Sequence, residues 1–97
     1  MFYWFISMLE LRHLKTLTAL REHGSLVAAA TDLYLTPSAI SHQLKELDQW
    51  FGVEVVNRRS RPVSFSNVGL RLLKLADDIL PQIQIAHTDI ARIVHGQ

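Results

Sequence analysis

Leu11, Leu14, Leu17 and Leu20 recur at helical spacing, with Arg12, Lys15, Arg21 and Glu22 between them, and this pattern predicts an amphipathic helix. Gly24 ends it, because glycine takes the left-handed conformation that closes a helix without a Cβ penalty. Ser25 then offers a capping hydroxyl to a second helix over residues 26–33. Its Ala28, Ala29 and Ala30 leave a small face that another helix can approach closely. Thr36-Pro37 is a start signal, a capping hydroxyl followed by proline at the first helical position. The third helix carries Ile40, Leu44, Leu47 and Phe51 on one face and stops at Gly52.

From there the period changes from helical to alternating. Residues 53–56 and 62–65 are β-branched or aromatic runs around Asn57, Arg58, Arg59, Ser60 and Arg61, which predicts a small hairpin with a basic tip. Ser66 caps a last helix expected over 67 to about 94. Leu72, Ala76, Ile79, Ile83, Ala86, Ile90 and Ile93 follow one another in steps of four and three, a heptad seam, with Leu80 widening the stripe. A helix of about 27 residues is about 40 Å long. Only its first turns can pack on so small a domain, so the remaining stripe predicts a second copy as partner. The expected dimer residues are Leu72, Ala76, Ile79, Leu80, Ile83, Ala86, Ile90 and Ile93. Pro81 lies inside this helix, where a kink and not a break is expected.

The expected architecture is mainly α: a winged helix-turn-helix over residues 9–66, then a long dimerising linker helix over 67–97. Residues 1–8 are expected to be an extension outside the fold. Their aromatic run is far shorter than the ~18 apolar residues of a membrane span, and it has no signal-peptide charge pattern.

Composition narrows the chemistry. The chain has 97 residues and no cysteine, which removes disulfides, thiol nucleophiles, iron–sulfur sites and cysteine-ligated zinc together. The histidines show no zinc-ligand spacing, and Asp77-Asp78 point about 100° apart on a helix, so no enzyme is expected. Ten Lys and Arg against nine Asp and Glu say little in sum, but three arginines fall together in Arg58-Arg59-Ser60-Arg61. One concentrated basic point in a neutral chain fits nucleic-acid contact, and equally a solvated turn.

A recognition helix enters the major groove N-terminus first, so its leading residues must be short. Pro37, Ser38, Ala39, Ser41, His42 and Gln43 suit that, with Ser, His and Gln offering hydrogen bonds to base edges. His42 is read as a base or phosphate contact in preference to a solvated position. Arg58, Arg59 and Arg61 would neutralise phosphates or probe the minor groove, although Arg58 could instead pair with a nearby carboxylate.

Leu11-Arg12-His13-Leu14, Gly24-Ser25-Leu26, Ala28-Ala29-Ala30, Ser38-Ala39-Ile40-Ser41-His42-Gln43-Leu44, Gly52, Arg58, Ser60-Arg61-Pro62-Val63 and Gly69 together resemble the N-terminal domain of LysR-type transcriptional regulators, over residues 9–97. Leu14-Lys15-Thr16-Leu17 and Leu80-Pro81-Gln82-Ile83 add a likeness to the regulators of methionine biosynthesis within that family. The resemblance implies dyad-symmetric promoter DNA as partner, a homodimer through the linker helix, tetramers in full-length proteins and a place in the bacterial cytoplasm. It also implies a C-terminal domain that binds a small-molecule co-inducer, expected to be missing from this chain, and no cofactor within it. Carried over by position, DNA contacts fall on Pro37, Ser38, Ser41, His42 and Arg61, with Ser25 and Thr36 where helix N-termini approach phosphate. Pro37-Ser38 stands where many members have Gln-Pro, and His42 where arginine is common. A helical interaction module without DNA binding is the competing reading.

Overall fold

The computed structural model describes residues 8–96. Most of the expected N-terminal extension, residues 1–7, lies outside the described residues, as does Gln97.

Helix α1 (Leu11–His23) presents Leu14, Leu17 and Leu20 to the interior together with two polar residues, His13 and Thr16. Gly24 closes it at φ +78°, its N–H donating to the Leu20 carbonyl at 2.8 Å. Helix α2 (Leu26–Leu33) opens on Ser25, whose Oγ accepts from the Ala28 N–H at 3.2 Å. Ala29 and Ala30 are buried, so α1 and α2 approach without large side chains between them. Tyr34 ends α2 in the left-handed region at φ +57° with its side chain in solvent. Helix α3 (Pro37–Phe51) opens on Thr36, which caps the Ala39 N–H at 3.1 Å, and it closes on Gly52 at φ +71°. The three helices meet over Leu17, Leu20, Ile40, Leu44 and Leu47, all fully buried.

The hairpin is shorter than the alternating pattern predicts. Strand β1 (Val56–Asn57) pairs antiparallel with β2 (Ser64–Phe65), Val56 opposite Phe65 and Asn57 opposite Ser64. The flanking N–H groups of Val55 and Val63 are engaged elsewhere, while the Val55 carbonyl keeps a partner in register, Ser66. The Val55 N–H donates to Asp48 Oδ1 at 2.9 Å, the Val55 carbonyl accepts from the Ser66 N–H at 3.0 Å, and the Val63 N–H donates to the Gly24 carbonyl at 3.0 Å. Groups committed to helix ends and turns cannot extend a ladder.

Helix α4 (Asn67–His95) starts at Ser66, whose Oγ accepts from the Gly69 N–H at 3.3 Å, and runs unbroken through Pro81. Its base is built into the domain. Gly69, Leu72, Leu73 and Ala76 are buried, and a Cβ on Gly69 would stand 2.5 Å from the Val55 carbonyl oxygen. This corrects two expected dimer residues: Leu72 and Ala76 are covered by their own chain and offer no surface to a second copy. Ile79 and Leu80 are half-buried, edging shallow apolar clefts with Leu14 and Leu11 of α1. From Pro81 to His95 every residue is exposed.

Candidate nucleic-acid interface

Turning α3 so that Ile40, Leu44 and Leu47 face the core leaves Ser38, Ser41, His42 and Lys45 on its outer side. Their spacing of three, one and three places them on one helical stripe. Together with Arg58 from the hairpin they line an open cleft of about 300 Å³ between recognition helix and wing. Pro37 and Ser38 are exposed at the leading turn, where the Ser38 Oγ lies 3.3 Å from the Thr36 Oγ1. Lys45 is a cation of this face that the sequence reading passed over. Its signal was the stripe itself, since 38, 41, 42 and 45 repeat the spacing of the buried face half a turn away.

Gln43 is corrected. Its side chain is only 5% exposed and points inward, its Oε1 accepting from the Thr16 hydroxyl at 2.6 Å. A buried amide needs such a partner, and one engaged in the α1–α3 seam is not free to read a base.

Behind the outer face, Glu46 gathers three groups. Its carboxylate lies 3.4 Å from Nε2 of the buried His13, 3.7 Å from the Arg12 guanidinium and 3.9 Å from Nε2 of His42. His13 Nδ1 accepts the Glu10 N–H at 3.0 Å, which in the neutral ring leaves its proton on Nε2, facing Glu46. The ring also stands edge-on to Trp50, centroids 5.1 Å apart. His42 itself is open to solvent, its side chain 74% exposed.

The basic tip divides into tied and untied charge. Arg58 Nη2 lies 3.7 Å from Asp48 Oδ2 and Arg59 Nη2 lies 3.8 Å from Glu54, so the alternative of a paired Arg58 is what the structure holds. Asp48 thereby joins the end of α3 to both ends of β1, at Val55 and at Arg58. The turn between the strands is folded on itself, with the Arg59 N–H on Asn57 Oδ1 and the Ser60 hydroxyl on the Asn57 carbonyl. Arg61 is exposed, and among the described residues neither it nor Lys45 makes an ion pair. Pro62 carries Arg61 against the α1–α2 turn, where a Cβ on Gly24 would stand 3.0 Å from the proline ring. Ser25 and Thr36 each accept one capping bond at a helix start, Thr36 exposed and Ser25 half-buried.

Among the described residues no three His, Asp or Glu side chains gather as metal ligands, and no helix is long and apolar enough to cross a membrane. The model of bacterial regulatory helix-turn-helix proteins of the lysR family matches residues 11–70, from the start of α1 into the first turn of α4. This chain belongs to the LysR family. It is 47% identical over 90 residues to the transcriptional regulator MetR of Haemophilus influenzae, covering 93% of this chain and 29% of that protein. To MetR of Escherichia coli K12 it is 51% identical over 79 residues, 81% of this chain and 25% of that one. The chain thus spans less than a third of the length of these relatives. Among solved LysR-type structures, the BenM DBD in complex with catB site 1 DNA superposes with a TM-score of 0.80 at 29% identity, covering 92% of this chain and all of that one.

Proposed function

We propose that this chain is the DNA-reading part of a LysR-family transcription regulator, binding double-stranded promoter DNA as a homodimer with α3 in the major groove and the wing on the backbone. The observation that carries this is the outer face of α3: short or polar residues at 37, 38, 41 and 42, Lys45 behind them and Arg61 on the adjacent wing, the last two without acidic partners. The likeness to a DNA-bound LysR-type domain over nearly the whole chain supports it. Ser38, Ser41 and His42 meet base edges. Lys45 and Arg61 neutralise phosphates, with Arg58 and Arg59 contributing once their carboxylates are exchanged for DNA, and the caps at Ser25 and Thr36 present helix N-termini to phosphate oxygens.

Dimerisation is assigned to the free length of α4. Ile83, Ile90 and Ile93 are 40%, 58% and 63% exposed and lie on one stripe with Ala86, continuous with the half-buried Ile79 and Leu80. Covering each isoleucine is worth about 1–2 kcal/mol. The identity to MetR supports methionine-biosynthesis promoters as the target class and the bacterial cytoplasm as the place of action. Co-inducer binding and tetramer formation are assigned to the length of the relatives beyond this match.

Fluorescence anisotropy with a methionine-biosynthesis promoter duplex and a scrambled duplex, over a salt series, tests the reading. Specific binding with a steep salt slope is expected. Lys45→Ala and Arg61→Ala should each flatten the slope by about one unit, and His42→Ala should also alter base preference. A dimer that ignores both duplexes at low salt would refute DNA reading and leave the helical interaction module.

A further inference from the structure

Helix α4 leaves the core of the winged domain after Ala76, while Ile79 and Leu80 still edge the clefts against Leu14 and Leu11 of α1. Leu72, Leu73 and Ala76 are the last residues buried against the domain, and everything from Pro81 onward is exposed. At that exit Arg21, in the last turn of α1, makes a two-pronged contact to Asp77: Nη1 donates to Oδ2 at 3.1 Å and Nη2 to Oδ1 at 2.7 Å. Paired parallel bonds of this kind fix orientation as well as distance. Asp77 follows Ala76 by about 100° around the helix. The ion pair therefore lies beside the apolar seam and not along it, and two separate contact lines resist both tilt and rotation.

A second feature coincides with the first. Pro81 has no N–H, so the Asp77 carbonyl lacks its partner one turn on, and the helix is most compliant between residues 77 and 81. The Gln82 side chain bridges part of that step by donating to the Asp78 carbonyl at 3.0 Å. The base of α4 is pinned immediately before its softest turn.

We infer that Arg21 and Asp77 are positioning residues that set the angle at which α4 leaves the winged domain, and so select the spacing between DNA half-sites; the spacing part rests on the function proposed above. The lever is long. Asp77 to His95 spans about 27 Å, and a tilt of about 10° moves the helix end by about 5 Å, more than the ~3.4 Å rise of one base pair. Two recognition helices joined through such levers stay in register with the duplex only if each exit angle is held.

Two measurements test this on the whole 97-residue chain. It has no cysteine, so Gln49→Cys and Thr88→Cys, on α3 and far along α4, can be spin-labelled and diluted with unlabelled chain. The distance distribution across the exit should be narrow in the parent, broader in Asp77→Asn and Arg21→Met, and narrow again in the charge-swapped double variant Arg21→Asp/Asp77→Arg. In parallel, half-sites selected by the chain from a randomised duplex pool are respaced by one base pair either way. Asp77→Asn should lower the preference for the best spacing by about 1.5- to 5-fold, the range open to an exposed ion pair, with affinity for a single half-site unchanged and the swap restoring the preference. Far-UV circular dichroism establishes that each variant is folded. An unchanged distance distribution in Asp77→Asn overturns the positioning role whatever the DNA does. A broadened distribution with unchanged spacing preference overturns the selection of spacing. A parent that binds no duplex overturns the proposed function and the spacing claim with it, while the distance measurement still decides the clamp.

Discussion

The buried bond between Thr16 and Gln43 predicts a strongly non-additive pair of substitutions. Thr16 is 1% and Gln43 5% exposed, and their 2.6 Å bond crosses the α1–α3 seam. Thr16→Val keeps the shape and removes the donor, leaving the Gln43 carbonyl oxygen without a partner in the core. That costs about 1–3 kcal/mol, and at 2 kcal/mol it lowers the melting temperature of a domain this size by about 8–16 °C. Gln43→Leu should cost less, about 1 kcal/mol, because the Thr16 hydroxyl can turn back onto the carbonyl of its own helix four residues earlier. Thr16→Val/Gln43→Leu together removes both polar groups and should be close to the parent, giving a coupling of about 2–4 kcal/mol, the sum of the two single costs. Urea melts followed by far-UV circular dichroism read these values, at one fixed protein concentration because pairing through α4 would make stability concentration-dependent. Additive single effects would refute the argument. So would a Gln43→Leu variant of parental stability that had lost DNA binding, since Gln43 would then be a groove contact.

Other substitutions follow from the same geometry. Gly69→Ala drives a Cβ to within 2.5 Å of the Val55 carbonyl oxygen and should destabilise by about 1–3 kcal/mol, read as a lowered urea midpoint with α4 levered off the wing. Ile90→Asp places a charge in the exposed stripe and should yield monomers by analytical ultracentrifugation while leaving the winged domain folded. The Arg21–Asp77 clamp should fail in acid. The hydrogen bonds from Arg21 hold the Asp77 carboxyl below its usual range, against a smaller opposing effect of desolvation. Its contribution is therefore present above the unfolded carboxylate pKa of about 3.9 and is lost as pH falls through the lower folded value. The spin-label distances should stay narrow down to that range and broaden beneath it; a width independent of pH would count against the clamp.

The helices were legible because their ends are chemically marked. Gly24-Ser25, Thr36-Pro37, Gly52 and Ser66 each place a left-handed closure or a capping oxygen where the structure has one. The hairpin was legible in region and not in bounds: Asn57, expected in the tip, pairs in β1, and nothing local in Val55 or Val63 discloses that their N–H groups bond to Asp48 and Gly24. Gln43 has the side chain of a base reader but the spacing of the buried face: 40, 43, 44 and 47 form one stripe, and the only polar member of an apolar stripe is a buried group awaiting its partner. The same attention to spacing finds Lys45 on the opposite stripe. Leu72 and Ala76 belong to a heptad seam that continues without change from domain to free helix, so the pattern marks no point at which one set of partners gives way to another. Arg21 and Asp77 stand 56 residues apart, and only the packed fold brings them together.

The stretch from Pro81 to His95 is exposed throughout, Ile83 edging a cleft against Leu11 of α1 and Ile90 and Ile93 being 58% and 63% exposed. Helical segments of about 12–15 residues are marginal in water, and this one begins at a proline. With α4 paired as proposed, ordering that segment and acquiring a partner become one equilibrium. At low abundance the DNA-competent species then grows as the square of the chain concentration, so a doubling of synthesis gives up to about a fourfold rise in occupied sites. A chain that pairs this way responds to its own dosage more steeply than in proportion.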